Sequence, residues 1–204
     1  MKPIVIIGTG GHSKVVLDIL QKRGLEILGF ISPEYKKGSL FCGYKILGDD
    51  EIIDSFISSD IGLANGIGFI AKDKKRKIVA KKFRDKGYHF ISIIDPSAII
   101  SSSVILEQGV QIMAGVIIQH GSSIGQDTII NTGSLIDHDC IINNDCHVAP
   151  GVTMSGNVNI GEESFVGVGS SIANNIFVGH NCTIAAGSVV FKDIGNDDTF
   201  IQVK

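Results

Sequence analysis

The chain has 204 residues, 44% hydrophobic and 19% charged, with 25 Gly and 4 Pro, a globular composition with room for one large domain or two small ones. A formal net charge of −3 gives no general pull toward nucleic acid or membranes, and 6% aromatic residues without Trp argue against a base-stacking surface. The opening apolar run, Ile4–Ile7, is too short for a secretory signal, and no stretch approaches the ~18 apolar residues of a membrane span, so a cytoplasmic setting is expected.

Residues 1–94 read as alternating strands and helices. Pro3–Ile7 is an apolar strand, followed by the turn Gly8-Thr9-Gly10-Gly11-His12. Ser13–Arg23 follows as an amphipathic helix with Val15, Val16, Ile19 and Leu20 on one side and Gly24 as its stop. Ile27–Ile31 is a second strand, and Asp49 or Asp50 caps a short helix ending near Ser58. Ile61–Ala64 and His89–Ile94 are the third and fourth strands, separated by a helix over about residues 70–86. Such alternation predicts a small parallel sheet of Rossmann type.

The glycine-rich turn, placed after a strand and before a helix, is shaped to hold phosphate at a helix N-terminus. It is not a full dinucleotide fingerprint. Ser13 stands where the third glycine would be, and Ser32 and Pro33 stand where an acidic residue would end the second strand. NAD is therefore disfavoured and a nucleotide diphosphate fits better; the competing reading is a tight turn with no ligand. Lys72–Lys86 holds nine of the eighteen basic residues. Val79 and Phe83 can face the core while the lysines are solvated or draw in anionic phosphates.

Asp95-Pro96 ends this pattern and opens a second domain, residues 95–204. From Ile100 to Val190 an aliphatic residue falls at every sixth position without an insertion, as in Ile130, Ile136, Ile142, Val148, Met154 and Ile160. Two residues before each stands a small or β-branched partner, such as Ser122, Thr128, Ser134, Cys140, Cys146 and Cys182. A period of six fits neither a helix nor an ordinary sheet, but it fits short strands wound into a hexapeptide β-solenoid. Three hexads make one turn of a triangular prism, so residues 18 apart stack and the regular hexads supply about five coils. Gly and Asn after the aliphatic positions (Gly125, Asn131, Asn143-Asn144, Gly161, Gly167, Asn174-Asn175, Gly179) are read as bend residues that tolerate positive φ. The flat walls and open ends of such a solenoid are suited to homotrimer assembly and capping.

The phase of the repeat separates inward from outward residues. Cys140, Cys146 and Cys182 fall in the inward small slot and read as reduced core thiols rather than a metal or disulfide set. His138, two positions after Ile136, points outward between Asp137 and Asp139. An imidazole with a carboxylate on one ring nitrogen is a good general base at the other; the alternative is a solvated surface histidine. His147 is also outward. In the column of His138, His120 lies one coil below and Gly156 one coil above. A glycine over a catalytic base leaves room for substrate and an accessible N–H that could stabilise an oxyanion. His89 and His180 show no partner in the sequence.

Together the N-terminal strand–GTGGH–helix, the Asp-Pro junction, the hexads and the stretch NTGSLIDHDCIINNDCHVAPGVTMSGNVNIG (131–161) resemble one family. It is that of the bacterial sugar O-/N-acetyltransferases, which includes sialic acid O-acetyltransferases and the enzymes acetylating UDP-, dTDP- or GDP-linked 4-amino sugars. The resemblance implies a left-handed parallel β-helix behind a Rossmann-like nucleotide-sugar domain, assembled as a homotrimer. It implies acetyl-CoA as co-substrate, no metal, and a nucleotide-linked sugar as partner. By motif, His138 matches the general base and Asp139 the acid beside it. His147 matches a histidine at the acetyl-CoA thioester, Gly156 the glycine whose amide meets the acetyl carbonyl, and Val168 and Ala186 backbone contacts to coenzyme A. Gly10, Gly11 and His12 match the loop holding the sugar nucleotide.

Two departures stand out. Ile31-Ser32 replaces the family's acidic pair after the second strand, and the usual Gly-x-Pro-Ala-Lys tail after the last coil is missing, the sequence ending at Gln202-Val203-Lys204. The expected reaction is acetyl transfer to an amine or hydroxyl of an activated sugar, with sialic acid O-acetylation as a variant. Two readings from other classes compete: a γ-carbonic-anhydrase-like zinc enzyme using His120, His138 and His147, and a non-catalytic trimeric scaffold or sugar-nucleotide sensor. The zinc class uses a closely spaced histidine pair, whereas His138 and His147 are nine apart.

Overall fold

A computed structural model describes residues 2–69 and 71–202. The chain divides between Ile93 and Ile94 into two compact units. In the first, β1 (Ile4–Ile7), β2 (Ile27–Ile31), β3 (Leu40–Phe41), β4 (Tyr44–Gly48) and β5 (Gly62–Asn65) form a sheet in the order β3-β4-β2-β1-β5. All neighbours are parallel except the β3–β4 hairpin. That hairpin escaped the sequence reading because its turn is Cys42-Gly43. Both residues have positive φ, 49° and 83°, the backbone that matches strand twist in a two-residue hairpin. Phe41 packs edge-on against Phe30 at 5.1 Å and holds the hairpin to the sheet.

Helix α1 spans Gly11–Lys22, beginning two residues before the expected start at Ser13. Its buried face is Ser13, Val16, Leu17, Ile19 and Leu20, whereas Val15 is exposed. Gly24, at φ 64°, donates its N–H to the Gln21 carbonyl and ends the helix. Asp49 caps a 3₁₀ helix over Asp50–Ser55 by accepting the Glu51 N–H at 3.1 Å. Helix α2 covers only Lys75–Asp85; of the expected span, residue 70 lies outside the described residues. The expected fourth strand reduces to a single parallel bridge between Phe90 and Leu63.

The second unit is a left-handed parallel β-helix of two-residue strands in sheets of six, five and seven. Residues 18 apart are register partners, so Ile118 pairs with Ile136 and Ile136 with Met154. Every aliphatic of the repeat from Ile112 to Val190 is exposed by 2% or less, each burial contributing roughly 1.5–3 kcal/mol. The small slot has a second role. Ser122 Oγ donates to the Asp137 carbonyl and accepts the Cys140 N–H, bridging successive coils. Thr128 and Ser164 do the same beneath Cys146 and Cys182. The cysteines keep the pattern with weaker donors: Cys146 Sγ points to the Gly161 carbonyl at 3.1 Å. Burial pushes the Cys146 thiol up to about 12, which makes it an inert core residue.

Of the expected bend residues, Asn175 has positive φ, 59°, and the others do not. Left-handed backbone recurs three positions after each aliphatic residue from Leu106 to Ile184: Asp127, Gly133, Asp139, Asp145, Gly151, Asn157, Glu163 and Gly169, for example, have φ between 54° and 68°. Gly125, Gly161 and Gly167, directly after the aliphatics, are not among the positive-φ residues. They are small because the next coil is close: a Cβ on Gly161 would lie 2.5 Å from the Gly179 carbonyl carbon. The coil also continues past the regular hexads. Val178 bridges Ile194 and Thr183 pairs with Thr199, each 16 residues on, so the last coil drops two residues after Val190 and stays stacked. Val203 and Lys204 lie outside the described residues.

Candidate active site

In the first unit, the ends of β1, β2 and β5 surround a cavity of about 190 Å³ lined by Gly8, Thr9, Gly10, Ser32, Glu34, Asp50, Gly66 and Lys75, among others. Gly10 is the N-cap of α1, with no side-chain cap and no acidic residue in the first turn. A Cβ on Gly10 or Gly11 would meet nothing within 4 Å. The start of α1 is thus open to an anion. Ser13, in the place of the third glycine, is fully buried and donates to the Gly66 carbonyl at 2.9 Å. Gly66 is small because a Cβ there would sit 2.6 Å from that same Ser13 Oγ.

Of the three loop residues expected here, Gly10 lines the cavity. Gly11 and His12 stand on the first turn of α1 beside it. The sequence reading found no acid at the end of β2, yet Glu34 and Asp50 both line the cavity. Glu34 lies three residues past the strand and Asp50 opens the 3₁₀ helix, so a search confined to the strand terminus misses them. Lys75 faces Glu34 at 3.7 Å. It lines the cavity, while most of its basic neighbours have other partners. Arg76 is buried and donates to the Asn65 and Ile67 carbonyls, and Lys81, Lys82 and Lys86 pair with Asp85, Asp50 and Asp54.

In the solenoid, His138 and Asp139 occupy the turn joining the Leu135–Ile136 strand to Ile141–Ile142. His138 Nδ1 lies 2.8 Å from Asp139 Oδ2, and Asp137 Oδ1 accepts the His138 N–H at 2.8 Å. Because the carboxylate is an acceptor only, Nδ1 carries the proton and Nε2 presents its lone pair. The hydrogen bond that His138 donates to Asp139, followed by the charge of Asp137, raises the His138 pKa from its ordinary value. Asp139 can hold this position because it occupies the left-handed slot, φ 58°, which Asp tolerates better than most residues. Gly156 stacks directly above: a Cβ on it would fall 2.5 Å from His138 Cε1 and 2.6 Å from Nε2. The 18-residue column is fixed by backbone bonds, Asp139 N to the His120 carbonyl and Asn157 N to the His138 carbonyl, both 2.9 Å.

The other expected residues lie elsewhere on the prism. His147 is on the third face, in the strand His147–Val148, 8% exposed. Its Nε2 lies 3.1 Å from Asn131 Nδ2, and its ring meets Phe165 edge-on at 5.4 Å. Val168 and Ala186 are exposed and stacked at the next corner, where the Gly187 N–H bonds the Val168 carbonyl at 2.8 Å. One chain therefore carries two separate constellations: His138, Asp139 and Gly156 at one corner, and His147, Val168 and Ala186 beside another. Among the described residues, no three His, Cys, Asp or Glu side chains converge as a metal-ligand set. His120 Nδ1 is 2.8 Å from Ser103 Oγ, so His120, His138 and His147 each have a different partner. His180 also has a neighbour the sequence did not reveal, Asp197 at 3.9 Å, brought there by the shortened coil.

Residues 3–83 match the PglD N-terminal domain family. Comparison with curated proteins gave no match. Among solved structures, a histidine-to-asparagine variant of perosamine N-acetyltransferase from Caulobacter crescentus, in complex with CoA and GDP-perosamine, is 33% identical with a TM-score of 0.90. The match covers 99% of this chain and 94% of that one. The chain belongs to the hexapeptide-repeat sugar acetyltransferases. The acetyltransferase domain of PglB from Neisseria gonorrhoeae, in complex with acetyl coenzyme A, is 30% identical over 97% of this sugar acetyltransferase and 95% of its own chain, with a TM-score of 0.88. WeeI from Acinetobacter baumannii has the same fold, with a TM-score of 0.88 at 20% identity over 99% of this chain and 97% of that one. No helix among the described residues of the acetyltransferase is long and apolar enough to cross a membrane.

Proposed function

We propose that this chain transfers the acetyl group of acetyl-CoA to the amino group of a nucleotide-linked amino sugar, with His138 as general base. The observation that carries the reading is the His138–Asp139 hydrogen bond beneath the side-chain-free Gly156. The amine nitrogen attacks the thioester carbonyl and its proton passes to His138 Nε2, while Asp139 steadies the imidazolium. The Gly156 amide stabilises the oxyanion. The carbon–sulfur bond then breaks, and the coenzyme thiolate takes the proton from His138. Relatives that bind CoA with GDP-perosamine, or acetyl coenzyme A, support both substrates and favour an amine over a hydroxyl acceptor. The cavity at Gly10 is the proposed seat of the nucleotide, its phosphates on the open start of α1. The chemistry draws on cytoplasmic metabolites, and that compartment is the proposed setting.

The working unit is a homotrimer in this reading. A site needing both constellations draws His138, Asp139 and Gly156 from one protomer and His147, Val168 and Ala186 from its partner. The sheets flanking the His138 corner carry exposed Leu135, Ile141, Phe177 and Val189, each 42–49% exposed, as an assembly surface would. The test is CoA thiol release with UDP-, dTDP-, GDP- and CMP-linked sugars, each with and without a 4-amino group. Release is expected only with an amino sugar and for one preferred nucleotide. Equal release without the amino group would overturn the reading.

A further inference from the structure

The left-handed slot of the solenoid accepts side chains: Asp127, Asp139, Asp145, Asn157, Glu163, Asn175 and Asn181 all occupy it with positive φ. The slot as such therefore does not demand glycine, although Gly121 sits at φ 76°, beyond the 53–61° of those residues. What distinguishes Gly121 is the residue one coil above it. A Cβ there would collide with Asp139 Oδ1 and lie 3.4 Å from its Cγ. The equivalent Cβ on Gly133, in the same slot at φ 68°, would meet nothing within 4 Å.

The same turn holds Asp139 in two further ways. The His120 carbonyl accepts the Asp139 N–H at 2.9 Å. The turn is itself anchored from below by Ser103, whose Oγ accepts the Gly121 N–H at 3.0 Å and lies 2.8 Å from His120 Nδ1. Ser103, the His120–Gly121 turn, Asp139, His138 and Gly156 thus form one stack over successive coils. Glycine is missing a side chain at both ends of the dyad, below the carboxylate and above the imidazole.

We infer that Gly121 is a positioning residue for the reaction: its missing side chain is the space in which the Asp139 carboxylate sits when it holds His138 Nδ1. This rests on His138 and Asp139 acting as proposed above, but the placement of the carboxylate can be read without any turnover. A methyl at Gly121 pushes the carboxylate away, and His138 keeps only Asp137 as a nearby charge, with Gly156 above it. The imidazole is then both less basic and free to rotate, and a misplacement of about 1 Å can cost ~100-fold in rate.

The experiment is an NMR titration of His138 in the full chain for wild type, D139N, G121A, G121N and S103A, with G133N as a control for adding a Cβ to this slot. The expected result is a His138 pKa lowered in G121A and G121N toward that of D139N, a smaller lowering in S103A, and no change in G133N. In the same proteins, kcat should fall in G121A with KM for acetyl-CoA little changed. G121A added to D139N should cost no further activity. A wild-type His138 titration in folded G121N would overturn the inference, as would full additivity of G121A with D139N. If G121A does not fold, S103A and G121N carry the test. Wild-type turnover by H138A, by contrast, would overturn the catalytic reading and leave the seating of Asp139 to the titration.

Discussion

Replacing His138 with Ala is expected to lower kcat by on the order of 100-fold or more, the usual contribution of a positioned general base. The fold should survive, because the side chain is 59% exposed and its hydrogen bond is to the adjacent Asp139. The measurement is CoA thiol release at saturating substrates beside a thermal melt. An unchanged melting temperature with a large fall in kcat is the expected pair. Because Nδ1 is committed to Asp139, the proposed reaction takes its proton at Nε2, on the ring edge nearest Gly156. His138→Gln, which can offer a neutral polar group but cannot accept a proton, should be nearly as slow as H138A.

Gly156→Ala is the second large effect, expected on the order of 100-fold in kcat. Gly156 is not among the positive-φ residues, so its backbone accepts a side chain without strain. The added methyl, however, would fall 2.5–3.0 Å from three atoms of the His138 ring. An exposed ring yields by swinging away, which breaks its alignment with Asp139 and fills the space over Nε2. Activity and stability should therefore separate: a steep loss of kcat with a melting temperature close to wild type. A parallel fall in both would instead point to a damaged coil.

The solenoid was legible because its core is one-dimensional. Each inward aliphatic packs only with its coil neighbours, so a strict period of six in the sequence becomes a strict stack in space. That phase placed Cys140 and Cys146 inside and His138 outside, and the 18-residue stack put Gly156 over His138. Legibility failed where a contact depended on close approach rather than on phase. Gly121 looked like any turn glycine until the position of Asp139 Oδ1 was known. Asp197 could not be assigned to His180 while the coil was assumed to keep 18 residues.

The first unit was less legible for a different reason. Its strands showed as apolar runs, but the hairpin at Leu40–Tyr44 depends on two positive-φ residues, one of them Cys42, which carries no turn signal. The acids of the cavity come from a loop, Glu34, and from a 3₁₀ helix, Asp50, whose cap was legible but whose approach to the end of β2 no local pattern specifies. The homology of 33% over 99% of the chain then connects the two units within one family.

The measurement that bears most directly on the dyad is the pH dependence of kcat/KM for wild type, D139N and H138A. A general base works only when neutral, so activity must rise with pH through the His138 pKa. Asp139 and Asp137 raise that pKa from the ordinary imidazole value, so the wild-type acid limb is expected at higher pH than an unpaired histidine would give. D139N removes the largest cause, so its limb should move to lower pH with a reduced plateau. In H138A the limb should vanish from the residual rate. An acid limb that stays at the wild-type position in H138A would show that another group accepts the proton.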